Sequence, residues 1–166
     1  MKLLIKKQLK DLIVLVVAST FFIACSSENK INSSFTQDEI TKAINNTRWT
    51  FSANGASPSY GSYRNLTGGY FVKCMKDTLI VSLPYYGKLN SPAGARDGNP
   101  LDFKTTNFTL TRQDKKPGEW VVTIDRPDPE VQSMSFTFFD NGSAQLNVIM
   151  TNRSGIGFSG NVMPVK

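Results

Sequence analysis

Apolar and polar residues alternate with a period of two over most of the chain after residue 46, as half-buried β-strands do. Strands are predicted at residues 49–53, 70–75, 78–83, 101–104, 108–113, 120–125, 133–139, 143–151 and 157–162, with an irregular loop at 54–69. Asn141-Gly142 lies between two of these runs and favours a β-hairpin. Tight links join antiparallel neighbours, because parallel strands need long crossovers. The pattern predicts a mainly β protein, an antiparallel meander that forms a β-sandwich or a small barrel.

One stretch before these strands has helical periodicity instead. Thr36 and Glu39 have the spacing of a capping box, in which each side chain bonds the other residue's backbone amide. Ile40, Ala43 and Ile44 then fall on one face of a helix. We therefore expect one short N-terminal helix that covers an open end or an edge of the sheet.

The first 25 residues follow neither period. Four lysines occur among the first ten residues, residues 12–23 are almost wholly apolar, and Ala24-Cys25 follows. An apolar run of about a dozen residues is typical of a secretory signal, since a spanning helix needs about 20. A cysteine directly after the cleavage point resembles a bacterial lipoprotein signal, which predicts lipidation of Cys25. The predicted organisation is a lipoprotein signal peptide (residues 1–24), a flexible tether (25–34) and a single β-rich domain (35–166).

The net charge of +6 comes partly from the leader, which holds four lysines and one aspartate. The rest of the chain keeps 15 basic and 12 acidic residues, and Lys115-Lys116 is its only basic pair. Nucleic-acid-binding domains usually carry a clustered basic patch. The expected partner is therefore the membrane, through the lipid on Cys25, and not a nucleic acid.

The chain contains no histidine and two cysteines. Nucleophiles activated by histidine and the common histidine-containing zinc sites are thereby excluded. With Cys25 acylated, no internal disulfide forms, and Cys74 lies in a strand pattern in which a lone cysteine packs as a small hydrophobe. We expect no cofactor, no metal and no enzymatic activity. A hydrolase that uses Asp97, Asp102 or Tyr85 is the least favoured alternative.

Several short motifs together resemble one family. They are the leader that ends in cysteine, the aromatic strand at 49–53, Leu83-Pro84-Tyr85-Tyr86-Gly87, Gly118-Glu119-Trp120 and Asn141-Gly142-Ser143-Ala144. From about residue 47 to 160 the chain resembles the uncharacterised lipoproteins of Bacteroidota grouped as domain of unknown function 4251. The resemblance implies an envelope location and a β-rich fold, and it names no catalytic residue.

Residues 83–102 form the candidate binding loop, because a long loop inside a compact domain is usually functional or disordered. Tyr85 and Tyr86 suit stacking on a sugar or peptide, Arg96 suits pairing with a carboxylate, and Asp97 adds a charge. Tyr60 is expected on the same rim. In the structural interpretation, Pro84 ends a strand and the tyrosines plug a barrel mouth.

Asp77-Thr78-Leu79 resembles the short acceptor signal for O-linked glycosylation in Bacteroidota, which makes Thr78 a candidate modification site.

The functional hypothesis is an outer-membrane lipoprotein whose non-enzymatic β domain binds a glycan, a peptide or another envelope protein. Ser26 follows Cys25 where an inner-membrane retention signal would have aspartate, which favours the outer membrane. The periplasmic and the cell-surface face both remain open. The main alternative is a structural or assembly subunit of an envelope complex.

Overall fold

The computed structural model describes residues 35–91, 93 and 95–165. The predictions for the signal peptide, Cys25 and the tether concern residues 1–34 and lie outside the described residues.

The described residues form one helix and ten strands. The helix α1 is Gln37–Asn45, and the strands are β1 Arg48–Pro58, β2 Arg64–Asn65, β3 Phe71–Met75, β4 Thr78–Ser82, β5 Asp102–Thr105, β6 Thr109–Lys116, β7 Glu119–Asp128, β8 Val131–Phe139, β9 Ser143–Met150 and β10 Ile156–Pro164. All strand pairs are antiparallel, so the predicted mainly β, antiparallel class is confirmed.

The strands form a single sheet in the order β5-β4-β3-β1-β10-β9-β8-β7-β6, and β2 pairs with β1. Each half of this order is a meander, and the pairing of β1 with β10 joins the halves. β5 and β6 follow each other in the chain but lie at opposite ends of the hydrogen-bonded path. The sheet is therefore a curled half-barrel, not the two-sheet sandwich that the sequence left open.

The core lies on the concave face of the sheet. Inward residues alternate along each strand, and Trp49, Phe51, Phe136 and Phe138 are completely buried. The centroid of the Trp49 ring lies 4.9 Å from those of Phe136 and Phe138 on β8, and the rings meet edge-on. Full burial of one such side chain stabilises the fold by about 1.5–3 kcal/mol. The period-two pattern of the sequence is thus the packing pattern of this core.

Helix α1 covers the end of the core where β1 begins and β10 finishes. The amide of Glu39 donates to the Thr36 hydroxyl (3.3 Å), and the Thr36 amide donates to the Glu39 carboxylate (2.8 Å), so the predicted capping box is confirmed. Ile40, Ala43 and Ile44 are buried, as the helical period predicts.

Within the described part of the chain, no helix is long and apolar enough to cross a bilayer.

The prediction of an irregular loop at 54–69 is wrong for its first part. Strand β1 continues to Pro58, and β2 forms a short extra pairing with it. A bulge between Ala53 and Gly55 shifts the register against β10. A bulge inserts one residue and reverses the alternation after it, so the period-two signal is lost although the backbone pairing goes on.

Candidate functional site

The loop between β4 and β5, residues 83–101, is called the strap here because it is fastened to turns at one end of the sheet. The amides of Asn90 and Ser91 donate to the carbonyl of Asn152 in the β9–β10 turn at 2.9 and 3.2 Å. The Asn99 side-chain amide donates to the Leu83 carbonyl at 2.7 Å and closes the base of the strap. The loop predicted from the sequence to bind a ligand is therefore held against the β9–β10 turn by hydrogen bonds from its own backbone amides.

Glu130, in the β7–β8 turn, is the centre of this attachment. Only 1% of the surface of Glu130 is exposed to solvent, although its side chain is charged. The Nε atoms of Arg96 and Arg153 lie 3.0 and 2.8 Å from its two carboxylate oxygens, and the Arg96 amide donates to it at 3.1 Å. Arg96 also pairs with Asp128 at 2.8 Å, and Arg153 donates to the Arg96 carbonyl at 2.8 Å. The guanidinium predicted to bind a ligand carboxylate is thus occupied by two carboxylates of the protein.

The pKa of Glu130 reflects a competition between burial and pairing. Burial raises it, but hydrogen bonds from Arg153 and Arg96 and the charge of Arg153 outweigh that effect, so its pKa lies below the usual value. The carboxylate is ionised at neutral pH and holds the strap.

Tyr85 belongs to the same attachment. Its hydroxyl donates to the Ser154 carbonyl at 2.7 Å, and the Arg153 guanidinium lies 5.6 Å from its ring centroid. The Lys88 amide donates to the Ser154 hydroxyl at 2.8 Å. A side chain on Gly87 would collide with the Tyr85 hydroxyl, which explains the glycine after the tyrosine pair. These contacts fit the structural interpretation of the loop.

The other three residues predicted for ligand binding lie outside this network. The Arg64 guanidinium stacks over Tyr86, 4.7 Å from the ring centroid, and the Lys88 ammonium lies 5.2 Å from the ring centroid of Tyr60. Asp97 is exposed and makes no hydrogen bond or ion pair with any described residue. A role in ligand binding stays a prediction for all five residues. The structure brings together Tyr85 and Arg96, through Arg153.

Tyr60 alone of the five lines the open cleft beside the β9–β10 turn. This cleft, of about 440 Å³, is bordered by Asn90, Arg153, Ser154 and outward positions of β9. Tyr60 is 60% exposed.

A second surface lies on the convex side of the sheet, over its central strands, and we call it the outer-face groove. Its volume is about 430 Å³. Its lining residues carry no charged side chain; they are Ser57, Tyr63, Ser135, Thr137, Gln145, Leu146, Asn147, Gly157, Phe158 and Ser159. The hydroxyl and amide side chains come from outward positions of β1, β8, β9 and β10.

The strand register aligns these side chains in two rows across the sheet. Asn147 pairs with Gly157 on one side and with Ser135 on the other. Gln145 pairs with Ser159 and with Thr137 in the next row. Opposed residues in antiparallel strands have Cβ atoms about 5 Å apart, so the two rows form a continuous polar floor.

Two glycines shape the groove. Gly157 lacks a side chain in the middle of the first row, and a Cβ there would meet only ordinary contacts, the nearest at 3.7 Å. A Cβ on Gly55 would collide with the hydroxyl of Tyr63, so the tyrosine lies directly over the β1 backbone. The Tyr63 hydroxyl is 3.4 Å from that of Ser159, and the Tyr63 residue stays 56% exposed. An exposed aromatic ring therefore forms one wall of the groove.

Sequence reasoning missed this surface. Most outward residues of β8, β9 and β10 are the polar members of the alternating pattern, which indicates only a solvated face. Their lack of charge was the available signal. Their grouping depends on which strands are neighbours, and β1 and β10 come from opposite ends of the domain.

Cys74 and Thr78 lie on the hairpin of β3 and β4. Burial raises the pKa of the Cys74 thiol to about 12, and the residue is completely buried, which agrees with an inert packing role. Thr78 is half-buried and opens β4 opposite Met75. Its glycosylation stays a prediction.

Among the residues that the structure describes, no group of three or more histidine, cysteine, aspartate or glutamate side chains is placed to hold a metal ion.

Fold and surface together define a mainly β domain with one open, curled sheet and an uncharged groove on its outer face. The chain belongs to the DUF4251 family, a domain of unknown function, whose model matches residues 32–162. The crystal structure of a DUF4251 family protein from Bacteroides eggerthii is similar, with a TM-score of 0.54 and 14% identity, over 77% of this chain and 87% of that one. At this identity the likeness concerns the fold. Among curated proteins, none matches this sequence.

Proposed function

We propose that this protein is a lipid-anchored envelope protein whose β domain binds a neutral glycan in the outer-face groove, without catalysing a reaction. The observation that carries the proposal is the lining of the groove: hydroxyl and amide side chains, one exposed tyrosine and no charged group.

The chemistry of this lining suits a sugar. Hydroxyl and carboxamide groups both donate and accept hydrogen bonds, as sugar hydroxyls do. An aromatic ring offers a flat apolar surface next to a polar edge, and Tyr63 provides one at the groove wall. A charged ligand would find no counter-ion on this floor, and burying an unpaired charge is unfavourable.

A peptide is the weaker candidate for the same surface. Extended peptides commonly bind by adding a strand to a free sheet edge. The groove lies over β8, β9, β10 and β1, which are each paired on both sides. Their backbone groups are used within the sheet, so recognition there depends on side chains.

The membrane anchor is proposed from the leader. The basic first ten residues, the apolar run at 12–23 and Ala24-Cys25 support acylation of Cys25, and Ser26 supports delivery to the outer membrane. In this proposal, residues 25–34 are the tether between the lipid and the domain. A domain on such a tether samples only ligands close to the membrane surface.

Filling the groove tests the proposal. Gly157→Val adds a β-branched side chain to the floor at a position where the first carbon fits, and β-branched residues suit strands. Asn161→Val is the matched control, because it places the same side chain at an outward position of β10 that does not line the groove. Binding would be measured with the full-length protein, in neutral detergent, on a panel of neutral oligosaccharides.

We expect a neutral oligosaccharide to bind the wild type and Asn161→Val alike, and Gly157→Val at least about tenfold more weakly. Equal binding by Gly157→Val, or no neutral glycan bound by the wild type, would overturn the proposal. Thermal unfolding of the three proteins shows whether a loss reflects the groove or the fold.

A further inference from the structure

A second cleft, of about 360 Å³, lies where β5 approaches the end of β7, and we call it the cationic cleft. Its lining residues are Lys104, Thr105, Asn107, Arg126, Pro127, Asp128, Pro129, Val131, Gln132 and Thr151. The cationic cleft and the outer-face groove share no lining residue, so the two sites are separate.

Two cations of this cleft are unpaired. Lys104 and Arg126 are exposed, and within the described part of the chain neither makes an ion pair, a hydrogen bond or a contact with an aromatic ring. Arg96, Arg112 and Arg153 are by contrast each paired with a carboxylate. Unpaired cations that border one cavity are available to a ligand.

Asp128, the one acid among the described residues that line the cleft, does not neutralise them. The Asp128 carboxylate is 2.8 Å from the Arg96 guanidinium and accepts the Glu130 amide at 3.0 Å. Asp102 and Asp125 lie on the same strands as the two cations but are not part of the lining. The cleft therefore carries an excess of positive charge, next to the side-chain amides of Asn107 and Gln132.

The backbone at Arg126 is unusual in a way that favours a role in binding. Its φ is 45°, in the left-handed region where a non-glycine residue is strained. It lies in a bulge, because β7 and β8 pair Asp125 with Ser133 and then Asp128 with Val131. A bulge re-aims a side chain, and this one turns an unpaired arginine to the cleft at the expense of local stability.

We propose that the cationic cleft binds an oxyanion, a phosphate or carboxylate group such as acidic glycans and lipid headgroups carry. The planar guanidinium of Arg126 forms a two-pronged hydrogen bond to two oxygens of the anion. Lys104 supplies a second positive charge, and the Asn107 and Gln132 amides donate to the remaining oxygens. The proposal does not depend on the outer-face groove.

The test measures binding of inorganic phosphate and of glucuronate to the full-length protein by calorimetry at low salt. Arg126→Gln and Lys104→Gln remove the two cations, and Lys115→Gln is the matched control, because it removes the same charge at the exposed hairpin tip. We expect each cleft variant to lose about tenfold or more in affinity and the control to stay within about twofold. Tighter binding of phosphate would favour a lipid headgroup as the ligand, and tighter binding of glucuronate would favour an acidic glycan.

Arg126→Gly separates function from folding. Glycine adopts a positive φ without strain, so this variant should unfold at an equal or higher temperature than the wild type while it binds more weakly. If all variants, including the control, lose affinity for the anion to the same extent, the binding reflects general charge attraction and the proposed site is wrong. Absence of binding of both probes to the wild type would do the same.

Discussion

At the scale of single residues, the buried carboxylate of Glu130 is the centre of an ion-pair network with Arg96 and Arg153. A charge that is almost wholly removed from water is stable only when it is paired and hydrogen-bonded, and Glu130 receives bonds from two guanidiniums and one amide. Those groups belong to the strap and to the β9–β10 turn. One carboxylate thereby connects three segments that are distant in the chain.

Glu130→Gln should destabilise the protein by about 3 kcal/mol at pH 7, because breaking a buried pair leaves charges without a partner. Urea unfolding of the variant and the wild type checks this. Asp114→Asn is the control, since it breaks the exposed pair with Arg112, and exposed pairs contribute little. An equal loss in the two variants would show that the Glu130 network is no more than a surface ion pair.

The same residue makes stability depend on pH. The folded pKa of Glu130 lies below its ordinary value of 4.5, so the unfolded chain takes up the proton first as pH falls. The contribution is fully present above about pH 5.5 and is lost as pH falls through the folded pKa. The stability difference between the wild type and Glu130→Gln should therefore narrow below pH 4.5. A difference that stays constant down to pH 3 would contradict this assignment.

The sequence showed which side chains of the strap are aromatic or charged, but not which groups of the protein they bind. Tyr85 and Arg96 stand out as an aromatic and a cation in a loop rich in proline and glycine. The groups that occupy them, Ser154 and Glu130, lie 69 and 34 residues away. Such distances in sequence leave no periodic signal, so free and occupied side chains look alike in the sequence.

At the scale of elements, β10 matters most, because it pairs with β1 and with β9 and carries two glycines with opposite roles. Gly157 keeps the outer-face groove open and has room for a side chain. Gly160 is buried, and a Cβ there would overlap the backbone carbonyl of Ser52 on β1.

Local signals in the sequence were enough to predict α1 and its capping box. The bulge in β1 could not be predicted in this way, because a bulge is defined by the register against the partner strand.

Gly160→Ala should therefore destabilise the protein by about 1–3 kcal/mol, as overpacking in a rigid site does, while Gly157→Ala should have a neutral or slightly stabilising effect. Denaturant midpoints of the two variants give the comparison within one strand. Equal midpoints would mean that the β1–β10 pairing tolerates a side chain at either position.

At the scale of the whole molecule, the core fills the concave side of the half-barrel. The surfaces available to a ligand are therefore its outer face and its ends. The aromatic core occupies the inner face. The order of strands was beyond the sequence, because short links predict hairpins but not the pairing of β1 with β10. The proposed lipid at Cys25 would hold such a domain at a membrane.

The proposed anchor predicts the number of free thiols. Cys74 is completely buried, and acylation would remove the thiol of Cys25. In protein from native membranes, thiol titration should therefore detect no reactive thiol in the folded state and one per chain after denaturation. Mass spectrometry of the N-terminal peptide provides the second readout. Two thiols per chain after denaturation, or a peptide that retains residues 1–24, would contradict lipidation.

Backbone amide NMR during titration with a neutral oligosaccharide shows where on the sheet the proposed ligand binds. Binding in the outer-face groove should cause chemical-shift changes that cluster at Tyr63, Asn147, Gly157 and Ser159 and should leave the strap unperturbed. Changes concentrated in residues 83–101 around Tyr85 and Arg96 would contradict it and would place the ligand on the loop that the sequence nominated.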